Sequence, residues 1–311
     1  MPRKVILDVD TGTDDAVALM VAALSPDLQL VGATTVVGNC PGPICTENTL
    51  RVVDHIGIDV PVYQGMVEPM VRPDFPRISS SVIHGDYLDL PQSQSDVQSN
   101  HAVDWLIETY LASDGDITLI PVGPLTNIAM AIRKEPRILP MIPELVIMGG
   151  AHHIGNRSAS AEFNIWADPE AAKVVVHCGR PIRMVPLDVT HKALISLDDC
   201  SHLRSIGTPA AATAATFIER RIEGYNAYQP MDEVNSAPVH DALAVCAVID
   251  PSVISSEFIP VDVETKGELT DGRTVCDFGR RSGKESNVHF GLGADVPRFK
   301  DMLFSILSRT N

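Results

Sequence analysis

One stretch decides the fold: Val5-Ile6-Leu7-Asp8-Val9-Asp10-Thr11-Gly12-Thr13-Asp14-Asp15. Its apolar start predicts a buried strand, and the apolar run Ala16–Val21 that follows predicts a helix. Four carboxylates therefore lie at the carboxyl end of a strand, where open α/β sheets place their ligands. Because crowded carboxylates repel one another, the arrangement favours a cation among them. Oxygen ligands favour Ca²⁺ or Mg²⁺ over zinc or copper.

Short apolar runs alternate with helical patterns along most of the chain. The predicted strands are Val5–Leu7, Leu30–Val37, Ile117–Val122, Leu145–Met148, Ile182–Val185, Val261–Glu264 and Thr274–Phe278. The predicted helices are Asp15–Ala23, Cys45–Ile56, Ala102–Ala112, Leu125–Lys134, Pro169–Cys178 and Val296–Leu307. This alternation predicts an α/β protein with a mostly parallel sheet and helices on both faces. No repeat or linker interrupts the 311 residues, so a single domain over residues 1–311 is expected, with loops at Met70–Ser99 and Tyr225–Pro238.

Composition argues against several classes of function. The net charge of −16 disfavours nucleic acids and anionic membranes as partners. Apolar stretches such as Ala16–Leu24 are too short to span a membrane, and Pro2-Arg3-Lys4 does not lead into a signal peptide, so a cytoplasmic protein is expected. The six cysteines are scattered without a zinc pattern, which favours reduced cysteines that pack in the interior.

Three further segments carry candidate functional residues. Pro238-Val239-His240-Asp241 begins a helical pattern, where Asp241 could also serve only as a cap and His240 as an ordinary histidine. The segment from Gly149 to Glu170 contains amides and a glutamate that could bind a polyhydroxylated ligand, and it ends in a predicted cap and first helical residue, Asp168-Pro169. The strand end Pro121–Asn127 offers backbone carbonyls that could reach a cation.

The acidic stretch is also compatible with two other roles. Asp14 or Asp15 could simply cap a helix and complement its dipole, although this leaves Asp8 and Asp10 unexplained. Asp8-Val9-Asp10-Thr11 also matches the signature of haloacid-dehalogenase-type phosphohydrolases, with Asp8 as the nucleophile. That signature needs a downstream lysine and a paired-acid motif, and the chain offers no convincing match for them.

Taken together, these segments resemble the inosine-uridine nucleoside hydrolase family. The resemblance rests on residues 8–15, Gly123–Asn127, Met148–Gly150, Ala161–Ala171 and Pro238–Asp241, and covers nearly the whole chain in the expected order. It implies a single domain with a Rossmann-like core that hydrolyses the N-glycosidic bond of ribonucleosides to ribose and free base. It also implies a homodimer or homotetramer that works in nucleoside salvage. A non-catalytic nucleoside-binding protein of the same fold is the second alternative.

The resemblance also implies roles for individual residues. Ca²⁺ would be held by Asp10, Asp15, the main-chain carbonyl of Thr126 and Asp241. Asp10 would be the general base that activates a Ca²⁺-bound water, and His240 the acid for the leaving group. The remaining residues would bind the substrate: Asp14, Asn39, Asn156, Glu162 and Asn164 at the ribose hydroxyls, Met148 along that pocket, and His84 and His240 near the base.

Histidines near the base favour an enzyme that is nonspecific or accepts pyrimidine nucleosides and inosine. Tyr225 and Tyr228 lie in the second predicted loop. There they either pack as ordinary loop residues or contact the base.

Overall fold

The computed structural model describes residues 1–72 and 87–310. The strands in these ranges are β1 (Arg3–Val9), β2 (Leu28–Thr35), β3 (Val62–Gln64), β4 (Ile117–Pro121), β5 (Leu145–Met148), β6 (Ile182–Val185), β7 (Leu194–Ser196), β8 (Ser236–Pro238), β9 (Ile254–Ile259), β10 (Val261–Val263), β11 (Thr274–Cys276) and β12 (Val288–Ala294). The α-helices are α1 (Thr13–Leu24), α2 (Gly42–Ile56), α3 (Ala102–Ala112), α4 (Thr126–Lys134), α5 (Phe163–Ala167), α6 (Pro169–Val176), α7 (Leu187–Thr190), α8 (Leu197–Ile206), α9 (Pro209–Tyr228), α10 (His240–Ile249) and α11 (Val296–Leu307). Short 3₁₀ helices span Pro136–Met141 and Pro251–Val253.

The central sheet has eight strands in the order β3-β2-β1-β4-β5-β6-β12-β9. Its pairs are parallel except the last, in which β9 runs antiparallel to β12. The chain leaves β1 on one side towards β2 and β3, and then returns to the other side with β4. A topological switch point therefore lies between β1 and β4, where ligands bind in folds of this type. The predicted single α/β domain with a mostly parallel sheet is confirmed.

Helices cover both faces of this sheet, as the alternation along β1 shows. Val5 and Leu7 belong to the core formed with α1, α9 and α10, whereas Ile6 belongs to the core formed with α3, α4 and α6. Successive side chains of a strand point to opposite faces. A strand that is buried on both sides is therefore apolar at consecutive positions, which is the pattern of Val5–Leu7.

Element boundaries agree with the sequence in several places and differ in one that affects the site. The strands Leu145–Met148 and Ile182–Val185 and the helices Ala102–Ala112 and Val296–Leu307 have the predicted ends. The predicted loop Tyr225–Pro238 is wrong at its start, because α9 continues to Tyr228, and at its end, because β8 occupies Ser236–Pro238. The predicted loop Met70–Ser99 lies partly outside the described residues, and its described part contains neither helix nor strand.

No disulfide bond joins the six cysteines, all of which lie in the described part of the chain. Cys45 Sγ instead donates a hydrogen bond of 3.2 Å to the carbonyl of Cys40. Across residues 1–72 and 87–310, no helix combines the length and the apolar composition that crossing a membrane requires.

Candidate active site

Four buried aspartates meet at the carboxyl end of β1. Asp10 follows the strand directly, Asp14 and Asp15 lie in the first turn of α1, and Asp241 lies in the first turn of α10. None of them is more than 5% exposed. One carboxylate oxygen from each of Asp14, Asp15 and Asp241 lies within 4.8 Å of the others. The structure therefore brings distant segments of the chain together in one acidic cluster.

Burial and mutual repulsion raise the pKa values of three of these carboxyls, those of Asp10, Asp15 and Asp241. Burial is the largest cause, and neighbouring carboxylates add to it. The pKa of Asp15 rises to about 6, and the pKa values of Asp10 and Asp241 rise well above their usual range. Like charges held away from water in this way need a nearby cation to stay ionised. Because the donors are carboxylate oxygens, the cluster fits a hard divalent cation.

The backbone of the β2–α2 connection holds Asp10 in place. The amide of Asn39 donates a 2.7 Å hydrogen bond to Asp10 Oδ2, and Asn39 Nδ2 donates to Asp15 Oδ2 at 3.2 Å. Glycines flank the same carboxylate on both sides. A Cβ at Gly38 would lie 2.0 Å from Asp10 Oδ2, and one at Gly123 would lie 2.9 Å from Asp10 Oδ1. The Asp10 carboxylate therefore sits in a cradle that any larger residue would fill.

Asp15 also organises the turn between β1 and α1. Its Oδ1 accepts the amide of Asp10 at 3.1 Å, and its Oδ2 accepts the amide of Gly12 at 2.9 Å. The N-cap position itself is Gly12, so neither Asp14 nor Asp15 occupies it. A role as simple helix caps therefore covers only part of what Asp15 does and leaves the buried cluster unexplained.

Asp8 lies within β1, two residues before Asp10. Its Oδ1 accepts hydrogen bonds from Thr34 Oγ1 at 2.5 Å and from Asn127 Nδ2 at 2.7 Å. Burial raises the pKa of Asp8 to about 7, and its side chain is inaccessible to solvent. A phosphohydrolase would need this carboxylate at an accessible surface as the nucleophile, and the structure does not place it there.

One buried arginine faces the cluster from α9. Arg221 Nη1 forms an ion pair of 2.7 Å with Asp14 Oδ1, and Arg221 Nε donates to the carbonyl of Pro238 at 3.0 Å. Burial on its own would lower the pKa of this guanidinium, but the charge of Asp14 and its neighbours outweighs burial and raises that pKa. Sequence reasoning missed Arg221. The available signal was a charged residue at helical spacing from two aromatic residues, Phe217 and Tyr225.

His240 is held between two hydroxyl groups. Its Nε2 lies 2.6 Å from the hydroxyl oxygen of Tyr225, and its Nδ1 lies 2.7 Å from Thr190 Oγ1. Tyr225 is only 3% exposed, whereas Tyr228 is 67% exposed. Of the two tyrosines in the predicted loop, Tyr225 therefore contacts a candidate catalytic residue and Tyr228 faces solvent.

A second group of buried polar residues lies at the start of α5. Glu162 is buried and accepts hydrogen bonds from the amides of Gly150 at 3.0 Å and Asn164 at 2.9 Å. Burial raises its pKa to about 7. Asn164 Nδ2 donates to the carbonyls of Val122 at 2.6 Å and Met148 at 3.2 Å. The amides and the glutamate of the Gly149–Glu170 segment are thus brought to the carboxyl ends of β4 and β5.

Asn156 and Thr126 are fixed by neighbouring groups. Asn156 Oδ1 accepts the amide of Phe163 at 2.8 Å. Thr126 is buried at the first residue of α4, and its hydroxyl donates to Asp168 Oδ2 at 2.7 Å. Asp168 also accepts the amide of Ala171 at 3.0 Å, so the predicted Asp168-Pro169 helix start is confirmed in the structure.

The structure therefore gathers most of the predicted site residues around one region at the carboxyl edge of the sheet. Tyr225 links its parts, because the charges of Asp14, Asp241 and Glu162 all act on its hydroxyl. His84 lies outside the described residues. The groups that sequence reasoning did not assign to the site are Arg221, Thr190, Thr34 and Asn127.

Comparison with known proteins gives a consistent result. The family model described as "Inosine-uridine preferring nucleoside hydrolase" matches residues 5–301. The chain is 42% identical over 305 residues to the pyrimidine-specific ribonucleoside hydrolase RihB of Escherichia coli O157:H7, covering 96% of this chain and 94% of that protein. A solved structure of the purine-preferring ribonucleoside hydrolase from Gardnerella vaginalis is 33% identical, with a TM-score of 0.91 over 98% of each chain. A plant nucleoside hydrolase structure is 28% identical, with a TM-score of 0.92 over 99% of each chain.

The fold and these likenesses define a hydrolase that acts on N-glycosyl compounds. The chain belongs to the inosine-uridine preferring nucleoside hydrolase family, and its reaction is the hydrolysis of ribonucleosides to ribose and free base. The resemblance found in the sequence is confirmed. The two alternatives, a phosphohydrolase that uses Asp8 and a non-catalytic binding protein, receive no support.

Proposed function

We propose that the chain is a calcium-dependent ribonucleoside hydrolase that prefers pyrimidine nucleosides and serves nucleoside salvage in the cytoplasm. The observation that carries the proposal is the buried cluster of four aspartates next to His240, together with the buried Glu162 and Asn164. Such a site combines a place for a cation, a histidine for the leaving group and polar groups for a sugar. We further propose that the active form is a homodimer or a homotetramer.

Calcium would be held by Asp10, Asp15, Asp241 and the main-chain carbonyl of Thr126. Calcium accepts both carboxylate and carbonyl oxygens, and this mixed set suits it better than it suits zinc or copper. When bound, the cation supplies Lewis acidity, which orients a water molecule and lowers its pKa. Asp14 is left out of this set because its Oδ1 is already paired with Arg221.

Asp10 is the proposed general base. Its Oδ2 is fixed by the Asn39 amide, so the carboxylate has one defined orientation in its glycine cradle. A carboxylate that is ionised and positioned in this way can take a proton from the attacking water. The neighbouring carboxylates would stabilise the positive charge that develops on the sugar as the glycosidic bond breaks.

His240 is the proposed acid for the departing base. To act as the acid, His240 must be the imidazolium, which becomes a neutral imidazole when it gives up a proton. Both nitrogens of an imidazolium are donors, and here both already have hydroxyl partners. A proton that leaves Nε2 must therefore pass through the Tyr225 hydroxyl or displace it. General acid catalysis of this kind contributes about 10²–10⁴-fold to the rate.

The ribose would lie between the cluster and α5. Its hydroxyls would be bound by the side chains of Asp14, Asn39, Asn156, Glu162 and Asn164, and Met148 would line the same place. Support comes from their burial or polar contacts beside the cluster, since Glu162 and Asn164 are 2% and 5% exposed. His84 remains the proposed second histidine near the base.

The preference for pyrimidines rests on the relatives. RihB, at 42% identity, is described as pyrimidine-specific, and the purine-preferring enzyme from Gardnerella vaginalis is 33% identical. The preference remains separate from the identity of the metal, because base recognition and water activation use different residues.

A reducing-sugar assay tests the proposal. Purified protein is incubated with uridine, cytidine, inosine, adenosine and guanosine, first with a chelator and then with added Ca²⁺ or Mg²⁺. We expect release of ribose, fastest from uridine and cytidine, loss of turnover in the chelator, and recovery with Ca²⁺. No turnover on any nucleoside with Ca²⁺ present would overturn the mechanism, and faster turnover of purine nucleosides would overturn only the base preference. Sedimentation velocity of the same sample tests the assembly state.

A further inference from the structure

Arg221 is the largest fully buried side chain in the described part of the molecule, with 2% of its surface exposed. It lies in the second half of α9, where an apolar residue would pack against the core with less desolvation. A buried guanidinium is tolerated only when charges and hydrogen bonds compensate it. The contacts of Arg221 therefore indicate which groups its side chain stabilises.

Those contacts join two segments that both carry site residues. Nη1 reaches Asp14 Oδ1 at 2.7 Å and Thr13 Oγ1 at 3.3 Å, both at the start of α1. Nε reaches the carbonyl of Pro238 at 3.0 Å, two residues before His240. Arg221 also lies one helical turn before Tyr225, with its Cζ 5.6 Å from the centre of that ring. One face of α9 thus carries both Arg221, which contacts the acidic cluster, and Tyr225, whose hydroxyl contacts His240.

Charge gives Arg221 a second effect. The four clustered aspartates carry four negative charges when ionised, and the buried guanidinium beside them balances a single one. Asp14 and Asp15 are neighbours with identical side chains, and both belong to the closely spaced trio with Asp241. Their partners differ: the oxygens of Asp15 accept hydrogen bonds from backbone amides, whereas Asp14 Oδ1 pairs with the guanidinium of Arg221. An oxygen paired with a guanidinium is a poor ligand for a second cation.

We propose that Arg221 is a positioning residue that acts as a permanent counter-ion. It keeps Asp14 directed to the sugar and out of the calcium shell, and its charge limits how tightly the cluster binds calcium. This inference rests on the proposed calcium-dependent function. Arg221 itself makes none of the proposed contacts to calcium or to the substrate. Its presence nevertheless weakens calcium binding and strengthens ribose binding.

Calcium titration by calorimetry on chelator-stripped protein, without nucleoside, tests the inference. In Arg221→Met the positive charge is lost, so calcium should bind on the order of tenfold more tightly. In Asp14→Asn the arginine loses its partner, so calcium should bind on the order of tenfold more weakly. Arg221→Lys keeps the charge and should stay near the unsubstituted affinity. The double variant Arg221→Met with Asp14→Asn should bind calcium with an affinity closer to that of the unsubstituted protein than either single variant does.

Steady-state kinetics on uridine give the second measurement. Arg221→Met should raise KM about tenfold, because Asp14 is released from its position, and Arg221→Lys should recover part of that loss. A purely structural role predicts instead that Arg221→Met weakens calcium and substrate together. That result, or one calcium affinity shared by all variants, would overturn the inference.

Three further outcomes of the calcium titration each have a defined meaning. If Arg221→Met does not fold, the opposite shift in Asp14→Asn and the near-native affinity of Arg221→Lys still test the counter-ion role. If the unsubstituted protein binds no calcium, the proposed metal site fails and this inference fails with it. If it binds calcium and the variants do not differ, only the role of Arg221 fails.

Discussion

The hydroxyl oxygen of Tyr225 lies 2.6 Å from Nε2 of His240, and this short contact connects α9 to the proposed leaving-group chemistry. The other ring nitrogen is held at 2.7 Å by Thr190 Oγ1, so the orientation of the imidazole is fixed from both sides. In the proposed mechanism, a base that departs from the sugar draws its proton through this pair. The C-terminal end of α9 is therefore part of the site.

Tyr225→Phe should lower kcat on uridine about tenfold to a hundredfold, because the ring of His240 loses the partner of Nε2 while the aromatic packing is kept. The measurement is ribose release at saturating uridine with Ca²⁺ present. The matched control is Tyr228→Phe, which removes a hydroxyl from an exposed tyrosine of the same helix and should leave kcat unchanged.

A substrate with a better leaving group separates acid catalysis from other effects of Tyr225→Phe. p-Nitrophenyl riboside releases a stable anion that needs little protonation, so its turnover should be nearly unaffected in Tyr225→Phe and in His240→Ala. An equal loss on both substrates would mean that the tyrosine acts on the sugar or the metal and not on the leaving group.

Asp10→Ala should abolish turnover of every nucleoside, because it removes both the proposed base and one calcium ligand. Asp10→Asn separates these two roles by keeping an oxygen ligand without the basic carboxylate. We expect Asp10→Asn to retain part of its calcium binding by calorimetry and to lack measurable ribose release. Normal turnover in either variant would remove Asp10 from the mechanism.

Stability should depend on pH in the opposite sense to that of most proteins when calcium is removed. Burial raises the pKa of Asp8 and of Glu162 to about 7, whereas carboxyls of an unfolded chain titrate near 4. Between about pH 4 and pH 7 the folded protein therefore binds more protons than the unfolded chain, and the free energy of unfolding falls as pH rises through that window. Surface groups with a lowered pKa, such as Asp262, titrate below it.

Urea unfolding in a chelator, at several values between about pH 5 and pH 8, measures this trend. Glu162→Gln removes one of the titrating groups, so the free energy of unfolding should depend less on pH in this variant. Added Ca²⁺ should stabilise the protein most at the alkaline end, because the cation favours ionised carboxylates. A chelated protein whose stability rises with pH would contradict the prediction.

Asp168→Ala should lower the free energy of unfolding by about 2 kcal/mol, since the carboxylate caps α6 and also satisfies buried donors elsewhere. Besides the amide of Ala171, it accepts the hydroxyl of Thr126 at 2.7 Å and the amide of Met70 at 2.6 Å. Denaturant unfolding of the alanine variant provides the measurement. Asp168→Asn keeps a side-chain oxygen at the cap and should lose less of the free energy of unfolding. Equal stability of the alanine variant and the unsubstituted protein would contradict the capping role of Asp168.

Much of this arrangement can be predicted from sequence because the signals are local. The run Val5–Leu7 ends directly before the acids, so a strand that carries carboxylates at its carboxyl end follows from periodicity alone. Asp168-Pro169 gives the start of α6 in the same way, because a cap followed by proline is specific to a helix beginning. Family resemblance added what periodicity cannot give, namely that Asp241 belongs with the N-terminal acids.

The parts that sequence did not predict depend on contacts over long distances. The predicted loop began at Tyr225, yet α9 continues to Tyr228, and the hydroxyl of Tyr225 contacts the distant His240. Nothing near Arg221 in the sequence indicates that its partner is Asp14 at the other end of the chain. Similarly, the short bond from Thr34 to Asp8 exists only because β2 pairs with β1.

The glycine cradle around Asp10 changes how relatives of this chain should be judged from their sequences. Gly38 and Gly123 perform no chemistry, yet a single methyl group at either position would collide with the carboxylate or force it to move. A search that counts only aspartates would therefore accept chains in which Asp10 is present but misplaced. Enzyme engineering faces the same limit: libraries that aim at new nucleosides can vary the walls around the base, but should leave these two small positions fixed.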